Sequence, residues 1–280
     1  MFLDTVDHFA TLAIGKAAFL RRSPLGFWLS SMMAGAYIGL GIILIFCVGA
    51  NVDPSIRPIV MGASFGIALT LVIFAGSDLF TGHTMFMTFG WLRRRTSLGD
   101  LSTCWLGSWA GNLAGCIVLA AIFVTGGGGL ALAGKTPLII NVAAAKMNAP
   151  AAELVARAML CNWLVCLAIW TSARMTNDAA KCIAIFWCLY AFIASGFEHS
   201  VANMTLFSIA LLAEHPPSVT PWRDGLEPDL GDHGQRHQRR GHHGFWLLGG
   251  LARTGGRRAS GAAGTCRIAD VHRKAAQDAQ

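Results

Sequence analysis

The chain has 280 residues and a formal net charge of +7, with 54% hydrophobic and 13% charged residues. Soluble domains carry about 25% charged residues, so with a mean hydropathy of +0.52 an ordinary soluble fold is excluded. The positive charge is too diffuse for a nucleic-acid-binding stripe: residues 1–212 hold 12 Lys/Arg and 8 Asp/Glu, and residues 213–280 hold 10 and 7.

Residues 2–20, FLDTVDHFATLAIGKAAFL, place Phe2, Val6, Phe9, Ala13 and Ala17 at roughly helical spacing, with polar residues opposite. This predicts a short helix that either lies on the membrane surface or packs as an ordinary helix. Asp4, Asp7 and His8, with no small-residue cleavage site, argue against a cleavable signal peptide. Residues 23–52 carry no charge, enough for one span, since about 20 residues cross the hydrocarbon. A second uncharged run, 58–77, is followed by Asp78 and then 79–92. Residues 101–134 are a third span, trailing into a Gly-rich stretch. Residues 147–171 are a fourth, with Glu153 and Arg157 four apart. Lys181 opens a fifth, interrupted at 196–203 and resuming to Leu212.

Alternate loops hold Lys16, Arg21 and Arg22, then Arg93, Arg94 and Arg95, then Arg174 and Lys181. The intervening loops hold Arg57, Lys135 and Lys146, a bias that puts the N-terminus in the cytoplasm. Seven of the eight cysteines lie in or beside apolar runs and none forms a CxxC pair, so they read as small packing residues.

Two stretches stand out: FAGSDLFTGHTM (74–85) and FIASGFEHSVAN (192–203). Each is an apolar helix interrupted by Gly-x-acid, Gly76-Ser77-Asp78 and Gly196-Phe197-Glu198. They fall in the second and fifth spans, which run in opposite directions. Paired broken spans predict an all-α membrane protein built as an inverted repeat with its site at the midplane. Unwound backbone is tolerated there only where buried in protein or lining a polar cavity. The restarted half-helices aim their N-termini at that centre, which suits an anion.

Asp78, Glu198 and His199 are ionisable groups inside apolar spans, a functional-site signal. Asp78 and Glu198 also suit a structural role at the breaks, beside Gly76 and Gly196. His199 is the strongest functional candidate, since an imidazole ordinarily changes charge near neutral pH, and Lys146 reads either as functional or as an interfacial lysine.

After Leu212 no sixth span follows. The longest apolar stretch in residues 213–280 is 245–252, too short to cross. The expectation is a membrane domain over 1–212 and a disordered Arg/Gly/His-rich tail over 213–280. An out-of-frame C-terminus would explain that tail; reading the coding DNA in the other two frames downstream of His215 tests it. His233, His237, His242 and His243 lack an apolar frame to hold a metal. GLALAGKT (129–136) satisfies the phosphate-loop spacing but follows a membrane-length run instead of a strand, so it reads as a Gly-rich loop.

At these residues the sequence resembles the formate/nitrite transporter family, most closely its nitrite branch. The resemblance covers Met1 to about His215. It is carried by GSDLFTGHTM, AGNLAG (110–115), KMN (146–148), LCNWLVCLA in the fourth span and ASGFEHSVANM. It implies an aquaporin-like, homopentameric channel in a bacterial-type inner membrane, without a cofactor or metal, passing nitrite or formate-like anions. It further implies that Thr81 faces the central His199 and that Glu198 is its acidic neighbour. Lys146 and Asn162 match the vestibule lysine and pore asparagine. Leu79, Phe80 and Val165 would form the cytoplasmic constriction, and Phe65 and Phe192 the periplasmic one. Protons and membrane lipid are the further expected partners, with hydrosulfide another candidate substrate. A rival of another class is a membrane anchor subunit of a redox enzyme, which needs a pair of axial ligands. Residues 1–212 offer His8, His83 and His199. A pore for neutral solutes is a third reading.

Overall fold

A computed structural model of the chain describes residues 2–135 and 137–219, and over these it is helical. Helix α1 (Phe2–Arg22) buries Thr5, Phe9, Ala10, Ala13 and Ala17, a stripe close to that expected, and packs against the helix Phe80–Leu92, α5. The helix packs on its neighbours: Phe9 stacks on Phe86 at 5.4 Å and lies against Trp170 at 5.7 Å. Ion pairs from Arg93 and Arg95 to Asp7, and from Arg21 to Asp100, tie α1 to the loop at 93–97 and to the first turn of the helix that this loop precedes.

Helix α2 (Pro24–Ala50) starts with proline in its first turn, where the missing N–H costs nothing. Its most extensive partner is α6 (Leu98–Thr125), opened by a capping box between Ser97 and Asp100. The two backbones nearly touch. A Cβ on Gly35 would lie 2.1 Å from the Asn112 carbonyl oxygen, and one on Gly115 would lie 1.9 Å from that of Met32. AGNLAG is therefore a helix-crossing motif, small residues letting two membrane helices approach closely.

The second expected span is built in pieces: α3 (Arg57–Ser64), α4 (Gly66–Phe74) and, after the break, α5 (Phe80–Leu92). The third stops earlier than expected, at Thr125. Gly127, Gly128 and Gly129 take positive φ, and a 3₁₀ turn (Gly129–Leu132) follows. No strand precedes this segment among the described residues, so the phosphate-loop spacing has no phosphate-loop context. Helix α7 (Leu138–Met147) carries Lys146 in its last turn. The fourth span, α8 (Ala151–Ala173), begins after Pro150 instead of at Met147, with Glu153 and Arg157 paired at 3.2 Å. The fifth is split into α9 (Asp178–Ala194) and α10 (Ser200–Leu212).

Four segments are long and apolar enough to cross a membrane by length and composition: α2, 57–74, α6 and α8. The most hydrophobic window of α8 is only 17% buried within the chain, and Met159 and Trp163 lie bare on it. The tail expected over 213–280 lies outside the described residues from position 220 onward.

Candidate functional site

The two breaks have the same local build. Helix α4 ends at Phe74, and Gly76 breaks off the helical path at φ +74. The Ser77 N–H returns to the Val72 carbonyl at 3.1 Å, and Leu79 is extended before α5 starts. In the second break Gly196 sits at φ +70, the Phe197 N–H returns to the Phe192 carbonyl at 2.9 Å, and His199 is extended before α10. Both glycines hold the left-handed conformation that a β-carbon disfavours.

Each break then buries a carboxylate, Asp78 and Glu198, with side chains 1% and 5% exposed. An unpaired carboxylate in such a place would be prohibitively costly. Each has a lysine. Lys16 Nζ lies 2.5 Å from Asp78 Oδ1, and Lys146 Nζ lies 2.6 Å from Glu198 Oε2. Each also has a second donor five residues downstream. His83 Nε2 lies 3.1 Å from the same Asp78 Oδ1, and Asn203 Nδ2 donates to the same Glu198 Oε2 at 2.8 Å. Lys146 Nζ additionally donates to Asn203 Oδ1 at 3.1 Å. Lys146 is thus paired across the fold to a broken helix and is not an isolated interfacial lysine.

Helix α6 holds both breaks on adjacent turns. Asn112, fully buried, accepts from the Phe80 N–H at 2.9 Å and donates to the Asp78 carbonyl at 2.9 Å and the Ser31 carbonyl at 2.7 Å. Cys116, four residues on, sets its Sγ 3.6 Å from the Val201 carbonyl and 3.4 Å from that of Gly35. Four residues advance a helix by about 6 Å, so the breaks are anchored side by side near the middle of a 28-residue membrane helix.

His199 is buried, 4% exposed. Its Nδ1 accepts the Ala202 N–H at 3.1 Å and so caps α10, and its ring stacks on Phe192 at 5.8 Å. Accepting at Nδ1 fixes the neutral tautomer with hydrogen on Nε2. Thr81, implied by the resemblance to face His199, makes no hydrogen bond to it. Thr81 Oγ1 is buried without a partner, and the ring nitrogen on the cap is committed to its own helix.

Phe65 and Phe192 do come together, edge to face at 5.6 Å and both buried. Leu79 and Val165 are buried, while Phe80 is half-buried and turns its ring edge toward Trp105 at 6.5 Å. Asn162, half-buried on α8, reaches Cys166 Sγ at 3.6 Å. Sequence reasoning missed Lys16, His83, Asn112 and Asn203 as parts of this cluster. The acid-to-donor spacing of five, repeated at 78/83 and 198/203, was a readable signal for two of them.

This architecture has close relatives. Residues 5–226 match the family described as Formate/nitrite transporter. The chain is 55% identical over 220 residues to the Nitrite transporter NirC of Escherichia coli (strain K12), covering 79% of this chain and 81% of that one. A solved structure described as an FNT family ion channel superposes with a TM-score of 0.76 at 53% identity, covering 78% of this chain and 87% of that one. A pentameric formate channel with formate bound superposes with a TM-score of 0.58 at 25% identity, covering 68% and 76%. The chain belongs to the formate/nitrite transporter family.

Proposed function

We propose that the chain forms a transmembrane channel for nitrite and similar small monovalent weak-acid anions. The observation that carries this is the pairing of two broken helices on adjacent turns of α6, each presenting a lysine, a carboxylate and a restarted helix. The likeness to a nitrite transporter at 55% identity supports nitrite over formate or hydrosulfide as the main substrate. The two breaks are the matching halves of an aquaporin-like inverted repeat, and the α9–α10 pair is its fifth span.

The mechanism follows from charge and shape. Lys146, its side chain 23% exposed, draws the anion into a vestibule. Apolar slots then oppose a bare charge, because moving an ion into a low-dielectric passage is costly. Phe65 and Phe192 form one slot; Leu79, Phe80 and Val165 form the other. His199 lies beside Phe192, with Thr81 and Asn162 as further polar groups of the passage. The cap to Ala202 favours a neutral imidazole that meets the anion through Nε2–H. A cationic ring would have to surrender that bond, because both nitrogens then donate. Proton coupling therefore entails loss of the α10 cap.

The little-buried face of α8 fits a homopentamer in lipid, the assembly named for the formate channel above. The loop-charge bias supports a cytoplasmic N-terminus, and the likeness to a bacterial nitrite transporter supports a bacterial-type inner membrane. The redox-anchor reading is disfavoured by His83, whose Nε2 is spent on Asp78; a visible absorption spectrum tests it. The decisive measurement of the main proposal is anion current in planar bilayers with nitrite, formate and hydrosulfide across pH 5 to 8. Saturable nitrite current is expected; flux indifferent to solute charge would favour the neutral-solute pore.

A further inference from the structure

The positions five residues after the two acids carry different side chains in the same place. Asn203 shares Glu198 Oε2 with Lys146, and His83 shares Asp78 Oδ1 with Lys16. Asn203 does not titrate. A carboxylate only accepts, so His83 carries its hydrogen on Nε2. Its ring is 1% exposed and packed between Phe27 of α2 at 5.6 Å and Phe86 at 6.1 Å. From α6, Trp105 Nε1 donates to the His83 carbonyl. The charged groups that face the imidazole are Asp78 and, from α1, Lys16. His83 Nδ1 is buried with no partner, so a second proton there would find no acceptor.

We propose that His83 is a positioning residue for anion passage: a neutral second donor to Asp78, as Asn203 is to Glu198, that keeps the carboxylate from capping Lys16 completely. This rests on the channel reading above. The reasoning is electrostatic. An oxygen shared by two donors is held in a fixed direction and grips the ammonium less completely than an oxygen bound by the ammonium alone. Lys16, its side chain 30% exposed, then keeps part of its field and its remaining N–H groups for an arriving anion. Without the second donor the carboxylate swings fully onto Lys16 and cancels it.

The test is nitrite flux into proteoliposomes, as saturation curves from pH 5 to 8, for the full chain and for His83→Leu and His83→Asn. His83→Leu is expected to raise the half-saturating nitrite concentration about threefold with the maximal rate near that of the unaltered protein, the mark of lost uniform binding. His83→Asn, copying the other half, is expected to restore half-saturation and to leave the pH profile unchanged. Unchanged half-saturation in His83→Leu, or an asparagine variant as impaired as the leucine one, would overturn the proposal. So would an altered pH profile in His83→Asn, which would make His83 a titrating group. Should His83→Leu fail to assemble, the half-saturation and pH profile of His83→Asn decide alone. An unaltered protein that passes no nitrite would overturn the channel reading and this proposal together; normal flux with insensitive variants overturns this proposal only.

Discussion

Asn112 and Cys116 stand one helical turn apart on α6, and each is bonded to a different broken helix. A single rigid rod thereby sets the separation of two sites that lie far apart in sequence. Asn112 makes three bonds with a fully buried side chain, so its loss is expensive. Asn112→Ala is expected to cost about 1–3 kcal/mol by leaving the Phe80 N–H and Asp78 carbonyl without this partner. The thermal midpoint of purified protein in detergent should fall measurably. Asn112→Ala with an unchanged midpoint would show that the breaks hold themselves open without α6.

Lys146 and Glu198 should respond asymmetrically to truncation. Lys146→Met strands a carboxylate that is 5% exposed, and breaking one side of a buried pair costs about 3–5 kcal/mol. Glu198→Gln instead leaves the better-solvated ammonium and retains an amide oxygen for it. Lower yield and thermal stability are expected for Lys146→Met than for Glu198→Gln. The reverse order would mean that Glu198 is not held by Lys146 in solution.

His199 has two separable jobs. His199→Asn keeps an N-cap acceptor for α10 and should assemble normally, while losing the imidazole. His199→Phe loses the cap as well, at about 1 kcal/mol. Both variants are expected to pass anions with a flattened pH dependence, and only the phenylalanine variant should be less stable. Nitrite flux with the unaltered pH profile in His199→Asn would remove His199 from the mechanism.

Gly115 is a contact position. An added methyl would sit 1.9 Å from a backbone carbonyl, so α2 and α6 must separate. Overpacking of this kind costs about 1–3 kcal/mol, and more where backbone must move. Gly115→Ala should abolish assembly as judged by gel filtration. Gly99→Ala, on the same helix with only the Ser97 hydroxyl at 3.6 Å nearby, is expected to be tolerated and serves as the control.

Gly76 and Gly196 fail differently. Nothing lies within 4 Å of a β-carbon at either, so alanine costs only the left-handed backbone, about 1–2 kcal/mol. Asparagine, which visits that region more readily, should be the better replacement. Gly196→Asn is therefore expected to retain more flux than Gly196→Val; equal loss in both would point to a close neighbour of position 196 in the assembled protein.

Much of this was legible in the residues. Apolar runs predict five spans, of which four correspond to segments long and apolar enough to cross a membrane, and Gly-x-acid marks both breaks, because glycine at positive φ and a buried acid are local requirements. Distant partnerships were not legible. Lys16 looks like any lysine on the polar face of an amphipathic helix, and nothing near it in sequence names Asp78 as its partner. AGNLAG reads as small residues, but the three bonds of Asn112 exist only once α2, α5 and α6 have packed. A contact between Thr81 and His199 is implied by the family resemblance. A hydrogen bond between them is absent: Thr81 Oγ1 is buried without a hydrogen-bond partner, while His199 Nδ1 caps its own helix.

Anchoring both hinges to successive turns of one rod has a mechanical corollary. Any slide of α6 along its own axis displaces the two anchors by the same amount and in the same sense. The halves of the passage cannot then be adjusted one at a time through this helix. A ligand or neighbouring protomer that shifts α6 moves both breaks in a single stroke.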